Sequence, residues 1–262
     1  MNALAKALAR DTRTYRVDQP WQSLNVLEPL RGSLCVVLAQ PGMGKSALAL
    51  NWALGINSPS CLVSLDTDLT TQAVRAAAIK SGKTMAEIKK DPKAWSLYLS
   101  RKAEQVRAYD LSLSPRDILG LVNAEAEFWG VPPALTIVDN ISNLVREGDY
   151  QEYRKLFVDL HRIARIGDTF MLALHHVNRG PNPGQPLKMT DGQFSGEQEA
   201  EMVLGLWSKN EEFLNVSILK NRTGRADPSG QLYATLKFDR ETMQIRDLTQ
   251  AEEAYAVLKG AL

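Results

Sequence analysis

The residues Leu34-Cys35-Val36-Val37-Leu38-Ala39-Gln40-Pro41-Gly42-Met43-Gly44-Lys45-Ser46-Ala47-Leu48-Ala49-Leu50 decide how the rest of the chain is read. An apolar strand runs into a tight glycine-containing loop, and an apolar helix opens at Lys45-Ser46. That strand–loop–helix context makes the Gly-Lys-Ser triplet a phosphate-binding loop. Backbone N–H groups of the loop and of the first helical turn converge on one point, where the helix dipole favours an anion. The expected phosphate cradle is Pro41, Gly42, Met43, Gly44, Lys45, Ser46 and Ala47. Lys45 would reach the β- and γ-phosphates, and the Ser46 hydroxyl would sit on Mg²⁺. Ala39 stands where such a loop usually carries its first glycine. A chance Gly/Pro turn is the plain alternative, and the strand before it and the helix after it weigh against that.

Outward from this loop, further short apolar runs end in polar residues. Cys61–Leu65 ends in Asp66-Thr67-Asp68, Leu135–Val138 in Asp139, and Thr169–Leu174 in His175-His176. Helical stretches separate them: about 70–80, 83–105, 115–129 and 150–166. The alternation predicts an α/β domain with a mostly parallel twisted sheet flanked by helices. Ligands in such sheets lie beyond the carboxyl ends of the strands, so Asp66, Asp68, Asp139 and His176 are expected on the rim of the phosphate loop. Asp139, ending a buried strand, suits a Mg²⁺ ligand opposite Ser46. Asp66 suits the general base for an attacking water, with Asp68 the better helix cap because Thr70 and Thr71 follow it. The choice of catalytic acid between these two stays open on the residues alone. Strand alternation sends His176 toward the phosphates and His175 to the opposite face.

At 262 residues, 44% apolar and 23% charged, the chain has the make-up of a soluble globular protein with a sizeable core. A net charge of +1 gives no global positive field, so any grip on nucleic acid has to come from locally concentrated cations. The two cysteines, Cys35 and Cys61, fall in predicted core strands without metal-ligand spacing and read as buried thiols. No run is long enough for a membrane span and no signal peptide is evident, so a cytoplasmic setting is expected. Residues 3–9 form a short helix with Leu4 and Leu8 on one face, within an amino-terminal arm over 1–23. The polar loop 178–196 is of a length that is usually functional. Strands at 202–207 and 213–220 and a hairpin over 232–248 close the domain. The last dozen residues are expected to form a tail helix with apolar Ala254, Val257 and Leu258, either packed on the domain or free. Trp95 and Tyr98 are expected to face the core. Lys220 and Arg222, beside Gly224, set two cations at a strand end, an arrangement that suits the stabilisation of phosphoryl charge.

With these motifs in order, the chain resembles the RecA-like motor domain of DnaB-type replicative helicases over about residues 24–250. The family's loop accounts for Ala39 in Ala39–Asn51. Its acid-bearing Ser-Leu-Glu-Met segment matches Ser64-Leu65-Asp66-Thr67, and a nucleotide-proximal arginine falls on Arg75. Its second acidic strand matches Ile137–Ser142, and its sensor segment matches Leu174–Arg179 with His176 in place of glutamine. The Glu-Gln-Asp-Ala-Asp run matches Glu197–Leu204, and the finger motif matches Lys220, Arg222 and Gly224. The resemblance implies a P-loop NTPase that takes ATP and Mg²⁺ and translocates on single-stranded DNA as a homo-oligomeric ring, expected to be a hexamer. It also implies nucleotide at subunit interfaces, with Lys220 and Arg222 reaching a neighbour's site. It places the protein in replication, in the company of other replication proteins, and is similar to stripped-down phage and plasmid RepA-like helicases.

The sequence departs from the family in three places. The catalytic Glu is the shorter Asp66. The DNA-facing loop lacks the family's cations, leaving Arg179 and Lys188 upstream. The primase-binding domain does not precede the core. A nucleotide-gated DNA-binding or loading factor with weak ATPase and no unwinding is therefore the second hypothesis.

Overall fold

Alternation along the first strand sorts the molecule into two sides. In β1 (Leu34–Ala39) every residue is buried: Cys35, Val37 and Ala39 enter one apolar core, and Leu34, Val36 and Leu38 the other. A strand apolar on both faces belongs inside a sheet covered by helices on either side. The computed structural model, which describes residues 15–145, 150–177, 184–192 and 196–260, has that architecture. Its strands are β1, β2 (Ser60–Ser64), β3 (Val106–Tyr109), β4 (Leu135–Asp139), β5 (Phe170–His176), β6 (Met202–Trp207), β7 (Phe213–Asn221), β8 (Tyr233–Asp239) and β9 (Gln244–Asp247). They form one sheet in the order β3-β2-β4-β5-β1-β6-β7-β8-β9. The pairs from β3 to β6 are parallel, and β7, β8 and β9 add antiparallel strands. This is the expected RecA-like α/β arrangement with a carboxyl-terminal hairpin.

Helices α1 (Lys45–Gly55) and α2 (Leu69–Ser81) cover the Val37 side of the sheet, with α3 (Met85–Ile88) and α4 (Pro92–Lys102) layered on α2. Helices α5 (Pro115–Trp129) and α6 (Tyr150–Ile166) cover the Val36 side. Each start has a local cause. Asp68 accepts from the Thr71 amide to cap α2, and Ser114 and Asp117 form a capping box ahead of Pro115. The helical stretch expected over 83–105 is interrupted, because Asp91 caps a new helix whose first residue is Pro92.

One packing expectation is corrected. Trp95 and Tyr98 do not reach the main core. They stack edge-to-face at 5.3 Å, and Trp95 packs with Val74 and Met85 in a satellite cluster over α2. In the last helix, α7 (Gln250–Leu258), the buried residue is Ala256, seated against Phe213, while Ala254, Val257 and Leu258 are exposed. Tyr255 of the same helix meets the Phe213 ring at 6.4 Å, and Glu252, in a capping box with Thr249, pairs with Arg246 of β9 at 2.7 Å. Val17 and Trp21, for which the sequence makes no packing statement, are buried in the main core. Residues 1–14, including the expected helix at 3–9, lie outside the described residues. Both cysteines are buried and free, and burial pushes the Cys61 thiol up to about 12.

The hairpin is pinned onto α1 by one buried side chain. Asn51 donates through Nδ2 to the carbonyls of Ala47 and Met243, both at 2.8 Å, and its Oδ1 accepts from the Ile245 amide at 3.1 Å. Trp21 adds a bond from Nε1 to the Ile245 carbonyl at 2.9 Å and stacks edge-on against Trp52. The outer strand β9 is closed by residues 22 and 23, whose amides donate to Asp247. Asn51→Ala strands two backbone groups, so urea unfolding should show a loss of about 1–3 kcal/mol. A loss indistinguishable from zero would contradict the clamp.

Candidate active site

Parallel register brings several strand ends to one rim. Ser64 lies level with Asp139, and Ala39 with His176, with β5 between β4 and β1. The loop after Ala39 turns on Gly42 and Gly44, both with left-handed φ (75° and 98°), and Gly44 caps α1. Glycine at 44 is required twice, since a Cβ there would also lie 2.8 Å from the Phe238 ring. Above this rim is a cleft of about 360 Å³ lined by Gly42, Gly44, Lys45, Ser46, Ala47, Asp66, Thr67, Arg75, Asp139, His176, Phe238, Arg240 and Met243. Nine of the residues singled out from the sequence therefore meet in one space: Gly42, Gly44, Lys45, Ser46, Ala47, Asp66, Arg75, Asp139 and His176.

Lys45 is the centre of this arrangement. Only 5% of it is exposed, and its ammonium donates to the Ala39 carbonyl at 3.2 Å and to His176 Nδ1 at 2.8 Å. Burial pulls its pKa from 10.5 down to about 8, against the pull of Asp139 and Asp66. Burial and the neighbouring Lys45 charge also lower His176, which fits a neutral ring with Nδ1 as acceptor. Ser46 and Asp139 line the same cleft, and burial holds the Asp139 carboxyl above its ordinary value. A hydroxyl and a carboxylate together at the mouth of an anion-binding loop form a hard oxygen donor pair, and Mg²⁺ takes such pairs. His175 points the other way as expected, buried against Tyr153 and Phe157, and burial lowers it to about 4.

Other sequence candidates lie elsewhere. Asp68 is spent on the α2 cap, with bonds of 2.9 and 2.7 Å to Thr71. Pro41 is exposed and has no N–H to offer, and the Met43 side chain packs on the main core. Lys188 is exposed, its amide bonded to Asp191, and Arg179 lies outside the described residues. Lys220 and Arg222 are at the opposite rim. The Arg222 amide bonds the Glu201 carbonyl, and the Glu201 amide bonds Leu34 at the start of β1. A strand rise of about 3.3 Å per residue puts these cations roughly 20 Å from the phosphate loop of their own chain.

Phe238, Arg240 and Met243 were not anticipated. Arg240 stacks over the Phe238 ring at 4.8 Å and donates from Nη1 to the Gly42 carbonyl at 3.4 Å. Counting strand directions would have found them. β6 is parallel to β1 and β7 reverses, so β8 runs back and delivers its end to the rim of the phosphate loop.

No family model matches the chain. It is 34% identical over 248 residues to the Gene 65 protein of Mycobacterium phage L5, covering 83% of this chain and 87% of that protein. It is 35% identical over 243 residues to the Gene 65 protein of Mycobacterium phage D29, covering 82% of this chain and 99% of that protein. Among solved structures it is similar to a DnaB-like replicative helicase studied with primase, at TM-score 0.75 and 20% identity over 89% of this chain. The chain spans 62% of that helicase. It is also similar to a second solved structure, an isolated ATPase domain, at TM-score 0.75 and 18% identity, with 94% of this chain and 96% of that domain covered. The fold is thus that of DnaB-like helicase ATPase domains. No helix among the described residues is long and apolar enough to cross a membrane.

The charge on Lys45 has a measurable cost. Its folded pKa, about 8, lies below the ordinary lysine value of 10.5, so the penalty is full below pH 8 and fades as pH rises toward 10.5. Without nucleotide, Lys45→Met should be the more stable protein at pH 7 by up to about 3 kcal/mol, the gap closing by about pH 10.5. Equal stabilities at pH 7 in urea titrations would contradict this.

Proposed function

We propose that this chain, which belongs to the family of the mycobacteriophage Gene 65 proteins, is an ATP-hydrolysing motor that moves on single-stranded DNA in replication. The observation that carries the reading is the cleft itself. A buried lysine, a Ser–Asp donor pair, a second carboxylate and an arginine line one space of about 360 Å³ at a glycine loop. The fold shared with helicase ATPase domains supports the same reading.

In this scheme the loop amides and Lys45 bind the β- and γ-phosphates, Lys45 exchanging the Ala39 carbonyl and His176 for phosphate oxygens. Ser46 and Asp139 hold Mg²⁺, which when bound neutralises charge on the phosphate oxygens. Asp66 orients a water and takes its proton as the oxygen attacks the γ-phosphorus, and the bond from phosphorus to the bridging oxygen breaks. His176, freed from Lys45, donates to a γ-phosphate oxygen, and Arg75 adds positive charge. Phe238 with Arg240 on its face forms a platform suited to a nucleobase.

Lys220 and Arg222 are too distant to serve their own cleft. We therefore assign them to a neighbouring copy's nucleotide, which makes the active unit a ring of at least two and, by the helicase arrangement, six copies. Single-stranded DNA in the ring opening rests on the fold likeness, with Arg179 and Lys188 as candidate contacts. The shorter Asp66 favours a slower base and keeps the loading-factor alternative in play.

The motor should hydrolyse ATP faster when single-stranded DNA is added, and should separate a forked duplex. Asp66→Asn should lower kcat by about 10²–10⁴ while nucleotide still binds. A rate indifferent to DNA would contradict the motor, and DNA binding without strand separation would favour the loading factor.

A further inference from the structure

Glu201 sits where the start of β1, helix α6 and the end of β7 meet. Its Oε2 accepts from the Leu34 amide at 3.0 Å, and its Oε1 lies 3.0 Å from His161 Nε2. The same Oε1 lies 3.6 Å from Arg222 Nη1. The backbone repeats the connection, with Glu201 N bonded to the Leu34 carbonyl and Arg222 N to the Glu201 carbonyl, both at 3.0 Å. Arg222 also reaches the Gln198 carbonyl from Nη2 at 3.5 Å, beside the Lys220 ammonium, which bonds that carbonyl at 2.6 Å.

We propose that Glu201 is the positioning residue for Arg222, holding its guanidinium at the molecular edge and tying it to the first residue of its own phosphate-loop strand. The inference rests on the reading of Arg222 as a cation that acts on a neighbouring copy's nucleotide.

The strengths of the contacts fit that role. The Arg222 side chain is 53% exposed and its carboxylate contact is long, so the hold is weak and a phosphate dianion outcompetes it. Glu201 keeps the bond from the Leu34 amide and the shorter contact with His161, so releasing Arg222 does not leave its carboxylate without neighbours. An unrestrained arginine at a strand end samples many rotamers. Restraining it near its target lowers the ordering cost in the assembled site. Through Leu34, a shift of Arg222 toward one neighbour is felt at the strand that carries this copy's own phosphate loop.

A double-mutant cycle on the assembled protein tests this with steady-state ATP hydrolysis. Glu201→Gln retains an acceptor for Leu34 and removes the charge that holds Arg222. Glu201→Asp retains the charge and shortens its reach, and serves where the glutamine variant does not fold. Either should lower kcat about tenfold with KM for ATP unchanged, and neither should lower it further in an Arg222→Ala background. Wild-type kcat in both Glu201 variants would overturn the proposal. So would a tenfold fall that recurs in full on Arg222→Ala, since Glu201 would then act independently of Arg222. A wild-type rate for Arg222→Ala alone defeats the neighbouring-copy reading, and this inference with it, so the two failures are told apart by which variant is silent.

Discussion

A lysine ammonium buried in a cleft with only a backbone carbonyl and a neutral imidazole for hydrogen-bond partners is an unfinished interaction. Lys45 has lost most of its hydration, and neither Ala39 nor His176 brings a negative charge to it. Asp139 and Asp66 lie close enough to favour the charged form, yet burial still wins and the pKa falls to about 8. The rest of the cleft is arranged around that deficit. Two left-handed glycines let the loop curl over the ammonium, the α1 amino terminus adds positive potential, and Arg75 approaches from α2. A polyanion answers all of these at once, and it is the ligand chemistry for which the charged lysine is least costly.

Sheet direction supplies the second constraint. The strands from β3 through β6 point the same way, so acid and imidazole at their ends gather beside the loop without any long-range search. The added hairpin reverses twice and so returns to that rim, where Asn51 pins it and Phe238 and Arg240 close one wall. The same counting sends the end of β7 to the far rim. Lys220 and Arg222 are thereby separated from their own cleft by the length of β1. Geometry that forbids a contact within the chain makes a contact between chains the simplest use for two exposed-edge cations.

Much of this was legible in the residues, for identifiable reasons. Strands buried on both faces announce themselves as continuous apolar runs, and a glycine loop between such a run and a helix is where backbone amides converge on an anion. Asp68 could be assigned to a cap because Thr70 and Thr71 follow it, and its bonds to Thr71 bear out that local chemistry. Legibility failed where the answer depends on through-space partners. Nothing near Asn51 in the chain hints that it holds residues 243 and 245. The same is true of Glu201, whose partners Leu34 and His161 are distant in sequence. The tail helix shows the same dependence: its apolar residues left its packing open, and Phe213, distant in sequence, selects Ala256 and Tyr255 as its contacts.

The central claim is that a complete site needs two copies, one giving the phosphate loop and the next giving Arg222. Mixing two impaired variants tests it most directly. Lys45→Met keeps an intact finger, and Arg222→Ala keeps an intact loop, so each alone should hydrolyse ATP at a small but measurable fraction of the wild-type rate. Mixed in equal amounts and allowed to exchange subunits, about a quarter of the interfaces would pair an intact loop with an intact finger. Recovery of ATP hydrolysis on mixing is the predicted result. Full activity in Arg222→Ala alone, or no recovery in mixed assemblies verified to contain both chains, would contradict the account.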